Sequence, residues 1–189
     1  MRLKRLFTAF VMVIAISSCD KIKEASYVTI DTDFDIEVPL ESTATSIATS
    51  SNTLKSTEAN VSFSGYSDFK LSDDPTIASF ISGLHSIEIQ NADCELLGLS
   101  GDNEILSTIV TIFNKDTNTQ LYSYTISGTL KPTASTFSLN DLTNLSAILV
   151  ANKDNTLKVK VDGTANFPLV KGQHLIKMKI GSKVKYALL

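Results

Sequence analysis

Tryptophan is absent from this sequence, and histidine, cysteine and proline are scarce: two, two and four residues among 189. Each scarcity removes a class of protein. Two cysteines with no Cys-x-x-Cys spacing rule out a disulfide scaffold and a thioredoxin-like redox motif. His85 and His174 have no neighbouring His, Cys or Glu at metal-ligand spacing. The eight glycines form no phosphate-cradling loop. Gly98-Leu99-Ser100-Gly101 is followed by Asp102, so no nucleophile elbow exists. Basic charge is also in deficit: the net charge is −3. That excludes the cationic footprint on which non-specific nucleic-acid binding depends.

Long apolar runs are missing too, with one exception at the start. Arg2, Lys4 and Arg5 precede an apolar run from Leu6 to Ile16, broken only by Thr8. The run is well short of the ~20 residues that span a bilayer. A basic start, a short apolar stretch and small residues at its exit describe a secretory signal peptide. The exit reads Ile16-Ser17-Ser18-Cys19. It resembles a bacterial lipobox, in which the cysteine is acylated with palmitate-type chains and becomes the new N-terminus. The expected organisation is a signal peptide over 1–18, a lipidated tether over 19–26 and one domain over 27–189. Cys19 is the lipidation site, and the membrane is reached through its lipid rather than through a helix. Cys94 is then alone. It alternates with Asp93 and Glu95 on the apolar parity of Ala92 and Leu96, which predicts a buried, inert thiol.

The mature chain is predicted to be rich in strands. Val28, Ile30, Phe34, Ile36, Val38 and Leu40 share one parity, and Thr29, Asp31, Asp33, Asp35 and Glu37 the other. Period two with one wet face is a strand covering a core, here long enough to bend or to switch sheets. Residues 41 to 59 are rich in Ser and Thr and contain no proline, which predicts an exposed loop rather than a rigid stalk. Ser107 to Phe113 is predicted to be a central strand paired with Leu121 to Ser127. Ile176, Met178 and Ile180 are predicted to form a hairpin with Val184, Tyr186 and Leu188 across Gly181-Ser182.

Two segments read alike. Phe63-Ser64-Gly65 leads to Phe69-Lys70-Leu71-Ser72-Asp73, and Ile126-Ser127-Gly128 leads to Phe137-Ser138-Leu139-Asn140-Asp141. Each is followed by a short amphipathic helix and an alternating strand, as an internal duplication would produce. Asp74-Pro75 starts the first helix, and Ser138 with Asp141 resembles a capping box for the second. Many short strands, two short helices and no βαβ rhythm predict a mainly β, antiparallel β-sandwich.

The lipobox, the Phe-x-Leu-Ser-Asp unit and the strand Leu157-Lys158-Val159-Lys160-Val161 together resemble uncharacterised outer-membrane lipoproteins of the Bacteroidota. The resemblance implies an immunoglobulin-like sandwich on a lipid tether, in the cell envelope at the outer membrane. It carries over no active site and no cofactor. The implied role is non-enzymatic, in binding or structure. The rivals are a carbohydrate- or peptide-binding accessory lipoprotein of an uptake system, and a hydrolase whose residues converge only in the fold. Asp20 to Glu24 matches acidic surface-export signals poorly, so surface and periplasmic orientations both stay open.

Candidate sites are few. Asp31-x-Asp33-x-Asp35 has Ile36 and Ser42 where an EF-hand loop needs Gly and Glu, so a solvated strand face is expected. Asp102-Asn103-Glu104 reads as a turn, with calcium as the alternative. Tyr122 and Tyr124 share a face with Ile126 and are expected at the core or its rim. Tyr66, beside Gly65, is the freest aromatic and the candidate contact for a glycan or protein partner. Finally, residues 20–104 hold 16 acids and 4 lysines, and residues 105–189 hold 4 acids and 10 lysines. If the first strand lies beside a C-terminal one, these charges pair within the sheet and the domain is a monomer. If not, the lysine faces are free for an anionic partner.

Overall fold

The computed structural model describes residues 27–43 and 60–187. The signal peptide, Cys19, the tether and most of the Ser/Thr-rich loop lie outside the described residues. Eight strands are present: β1 (Tyr27–Ser42), β2 (Val61–Phe69), β3 (Leu84–Leu97), β4 (Ile105–Asn114), β5 (Gln120–Ile126), β6 (Thr136–Ser138), β7 (Leu157–Ala165) and β8 (Leu175–Ala187). Helix α1 (Pro75–Ala78) lies between β2 and β3, and α2 (Leu142–Ala151) between β6 and β7.

The strands form one antiparallel, nearly closed sheet in the order β5-β4-β7-β2-β1-β8-β3-β6. First pairs with last, second with seventh, third with sixth and fourth with fifth. That is one long antiparallel ribbon folded at the β4–β5 turn. Wrapping the ribbon brings β8 against β3 and β7 against β4. This nested pairing is jelly-roll topology, one of the all-β solutions to the edge-strand problem. The mainly β, antiparallel expectation holds. The immunoglobulin-like two-sheet arrangement does not follow from the pairing, because hydrogen bonding runs unbroken through β1. Alternation shows which face of a strand is buried; it is silent on which strand lies next to it.

The long first strand makes that continuity possible. β1 pairs with β8 from Tyr27 to Pro39, and with β2 from Leu40 to Ser42. The exchange falls at Pro39, whose nitrogen has no proton to give a ladder. Gly65 lies opposite Leu40, and a Cβ there would sit 2.2 Å from the Pro39 carbonyl oxygen. Only glycine lets the two strands approach so closely.

The expected hairpin at Gly181-Ser182 is not there: β8 runs straight through both residues. Its parity shows why. Ile176, Met178, Ile180, Ser182, Val184 and Tyr186 are all buried, so the period of two passes through the glycine without a phase change. Gly181 lies between Asp33 of β1 and Asn91 of β3, and the Asn91 side chain fills the space a Cβ would take.

One contiguous core fills the barrel. β1 contributes Phe34, Ile36, Val38 and Leu40; β7 contributes Val159 and Val161; α2 contributes Leu145 and Leu149. Each fully buried side chain of this size stabilises the fold by roughly 1.5–3 kcal/mol relative to exposure. The two similar segments occupy equivalent places: β2–α1–β3 and β6–α2–β7, with β2 pairing β7 and β6 pairing β3. Leu71 and Leu139 are buried in both, as are Ile77 and Leu145. The registers differ, since Phe69 faces Leu157 whereas Phe137 faces Cys94. The equivalence therefore belongs to the topology, which relates any such ribbon's two halves. Ser138 is no cap: its hydroxyl donates to Asp93 on β3, and Asp141 itself caps α2 by accepting from the Asn144 N–H.

Candidate functional site

Tyr66 stands on the outward parity of β2, next to buried Gly65, and is 64% exposed. The pairing of β2 with β7 surrounds it with residues from the far end of the chain. Lys160 is directly opposite, and the Lys158 ammonium lies 5.5 Å from the centre of the Tyr66 ring. Asp162 accepts a hydrogen bond from Ser64 Oγ at 2.8 Å and pairs with Lys160 at 2.9 Å. Lys115 pairs with Asp68 at 2.6 Å. Where β1 crosses to β2, Tyr66 borders a cleft of about 450 Å³ lined by Pro39, Glu41, Ser42, Ser64 and Lys171. Glu41 and Lys171 approach only to 3.9 Å, and both side chains are more than half exposed. The cleft offers an aromatic face, hydroxyls and, in Glu41 and Lys171, one charge of each sign. It can accommodate a polar ligand that has an apolar face.

The other candidates fall elsewhere. Cys94 is buried on β3, and desolvation pushes its thiol up to about 12, the opposite of what a nucleophile needs. His85 is exposed near the start of β3 and packs on Tyr27 at 4.7 Å. His174 is buried just before β8, where its Nδ1 accepts from the Val170 N–H at 3.1 Å. Tyr122 is buried and donates to the Asn140 carbonyl at 2.8 Å, while Tyr124 is half-buried at the rim. Burial raises the Tyr122 hydroxyl to about 12. Asp102 to Glu104 is a turn held by the Asn166 side chain, and Glu104 is paired with Lys131 at 2.6 Å. Among the described residues no three metal-ligating groups converge.

Asp31, Asp35 and Glu37 form one side of a charge ladder. β8 lies between β1 and β3, so Lys183, Lys179 and Lys177 each face an acid on both sides. Lys183 faces Asp31 and Glu88, Lys179 faces Asp35 and Asp93, and Lys177 faces Glu37 and Glu95. Lys179 also reaches Asp33 diagonally at 2.8 Å. The charge split within the chain is thus cross-paired on one sheet face. Tyr66 was visible in the sequence; Lys158, Lys160, Asp162, Glu41 and Lys171 were not, because nothing local signals which strand adjoins β2.

No protein-family model and no curated protein matches the sequence. Among solved structures, a chain of Desmodium yellow mottle tymovirus is similar over 86% of this chain and 90% of its own, at 7% identity and a TM-score of 0.39. A likeness that distant carries no argument about fold or function.

Proposed function

We propose that this chain is a lipid-anchored protein of the cell envelope, at the outer membrane, that acts as a non-enzymatic binding module. The observation that carries the binding role is Tyr66: a large aromatic ring, well exposed, on a sheet face furnished with hydroxyls and charges. Aromatic faces of this kind take the apolar side of a ligand while the flanking groups hydrogen-bond its edge. A saccharide fits that description, and an accessory role in carbohydrate uptake is the form of the proposal the site favours. In architectural terms the two halves of the sheet act as the two layers of a sandwich. Export and anchoring rest on the apolar run before Cys19 and on its small-residue exit. Among the described residues no helix is long and apolar enough to cross a membrane.

Two readouts on the full chain test this. Cys19→Ala is expected to leave unprocessed precursor that lacks acyl mass. A wild type with no acyl mass would remove the anchor from the proposal. Tyr66→Ala is expected to lose at least about fivefold in affinity for glycans bound by the wild type on an array, since one stacking contact contributes roughly 1–3 kcal/mol. Equal binding by both would remove Tyr66 from the site.

A further inference from the structure

The sheet has two ends, and they are finished differently. At one end β6 is three residues long, and the β3 edge on either side of it is capped between Ile89 and Leu96. Ser146 Oγ accepts from the Ile89 N–H at 3.0 Å, the Leu139 N–H donates to Ala92 at 2.9 Å, and the Leu96 N–H donates to Ser135 at 2.9 Å. At the other end β5 pairs with β4 alone. Among the described residues, no hydrogen bond reaches the backbone of Gln120 to Ile126 on its outer side.

The sequence does not defend this edge either. Edge strands are normally blunted by lysine, proline, bulges or shortness. No charged residue and no proline occurs from Thr117 to Leu130. The strand is seven residues long; its one register shift, at Leu121 opposite Ile112 and Phe113, is the single blunting feature and leaves Tyr122 to Ile126 regular. Gln120-Leu121-Tyr122-Ser123-Tyr124-Thr125-Ile126 is rich in residues that favour strands.

We propose that β5 pairs antiparallel with β5 of a second copy, about a two-fold axis at Ser123. In that register Tyr122 meets Tyr124 and Ser123 meets its own copy within the regular part of the strand, while the Leu121–Thr125 and Gln120–Ile126 pairs fall at the register shift around Leu121. A two-fold interface requires such self-complementarity. Aromatic and β-branched cross-strand pairs favour it. Although the chain is net negative, this edge brings no charge to the contact, so no like charges are opposed. Charge pairing on β1, β8 and β3 led to the expectation of a monomeric domain; the proposed dimer departs from that expectation and forms at an edge that carries none of those charges.

Residues directly opposite in an antiparallel pair have Cα atoms about 4.5–5.5 Å apart. A disulfide spans about 4.4–6.8 Å. Ser123→Cys in the full chain is therefore expected to be trapped as a covalent dimer on mild oxidation. Thr125→Cys is the register control, since its two copies would lie four residues apart, about 13 Å. Capture of Ser123→Cys at roughly ten times the yield of Thr125→Cys supports the pairing. No capture, or equal capture of both as random collision gives, overturns it. A partner peptide occupying the edge would likewise leave Ser123→Cys monomeric. Ser123→Lys, with thermal unfolding unchanged, is expected to abolish concentration-dependent sedimentation; wild type that sediments as a monomer throughout would also sink the proposal.

Discussion

Gly65 and Gly181 are both strand-interior glycines, and their surroundings predict opposite tolerances. A Cβ on Gly65 would meet the Pro39 backbone oxygen at 2.2 Å, where β1 changes partner and cannot retreat. A Cβ on Gly181 would clash with the Asn91 side chain, whose oxygen lies 2.1 Å away, and would meet the Asp33 carboxylate at an ordinary 3.4 Å. Asn91 is exposed, and its amide bonds Asp93, so it can swing toward solvent. Gly65→Ala should cost about 1–3 kcal/mol or more as a forced backbone shift, and Gly181→Ala less than about 1 kcal/mol. Urea unfolding midpoints would show the difference. Equal losses would mean the crossing at Pro39 is not as tight as described.

The two helices differ in how their ends are made. Asp74 holds an extended backbone before Pro75, and its carboxylate accepts from Thr76 at 2.8 Å and Ile77 at 3.2 Å. Asp141 sits at φ 56°, in the left-handed region, with a single 3.4 Å bond to Asn144. Asp74→Ala should therefore cost about 1 kcal/mol. Asp141→Gly relieves the backbone while losing a weak cap, so it should be close to neutral, within about 0.5 kcal/mol. Thermal melts of the pair would check this, and a larger loss at Asp141 would contradict it. The unbroken β8 is likewise a matter of the element rather than of the residue. Glycine next to serine signals a turn only when the alternation breaks, and in β8 it does not.

At the scale of the whole molecule, two buried groups lower stability as the solution turns alkaline. Burial raises the Tyr122 hydroxyl from 10.0 to about 12, and the Cys94 thiol from 9.0 to about 12. Folded protein therefore holds these protons more tightly than unfolded protein does. The resulting stability is fully present below about pH 9. It is lost as the pH rises toward 12, because the unfolded chain ionises first. Unfolding by urea across this range should show falling midpoints, and Cys94→Ala should make the fall shallower. A variant with an unchanged slope would show that the thiol is not buried as described. The charge ladder on β1, β8 and β3 should contribute little by comparison, because its members are exposed or nearly so and screened by salt.

Local chemistry alone announced the buried parity of β1, β3, β7 and β8, the Asp74 cap, the burial of Cys94 and the exposure of Tyr66. Each depends on a residue and its near neighbours: a side-chain period of two, a carboxylate before a proline, a small thiol among apolar residues. What the chain could not announce is adjacency. A strand's alternation is the same whichever strand lies beside it, and the pairs that matter join the two ends of the chain, Tyr27 with Ala187 and Gly65 with Val161. Only the wrapped ribbon places Lys158 against Tyr66, puts Lys177, Lys179 and Lys183 of β8 between two rows of acids and, among the described residues, leaves β5 with an open edge, because these contacts arise when distant strands compete for the same backbone hydrogen bonds.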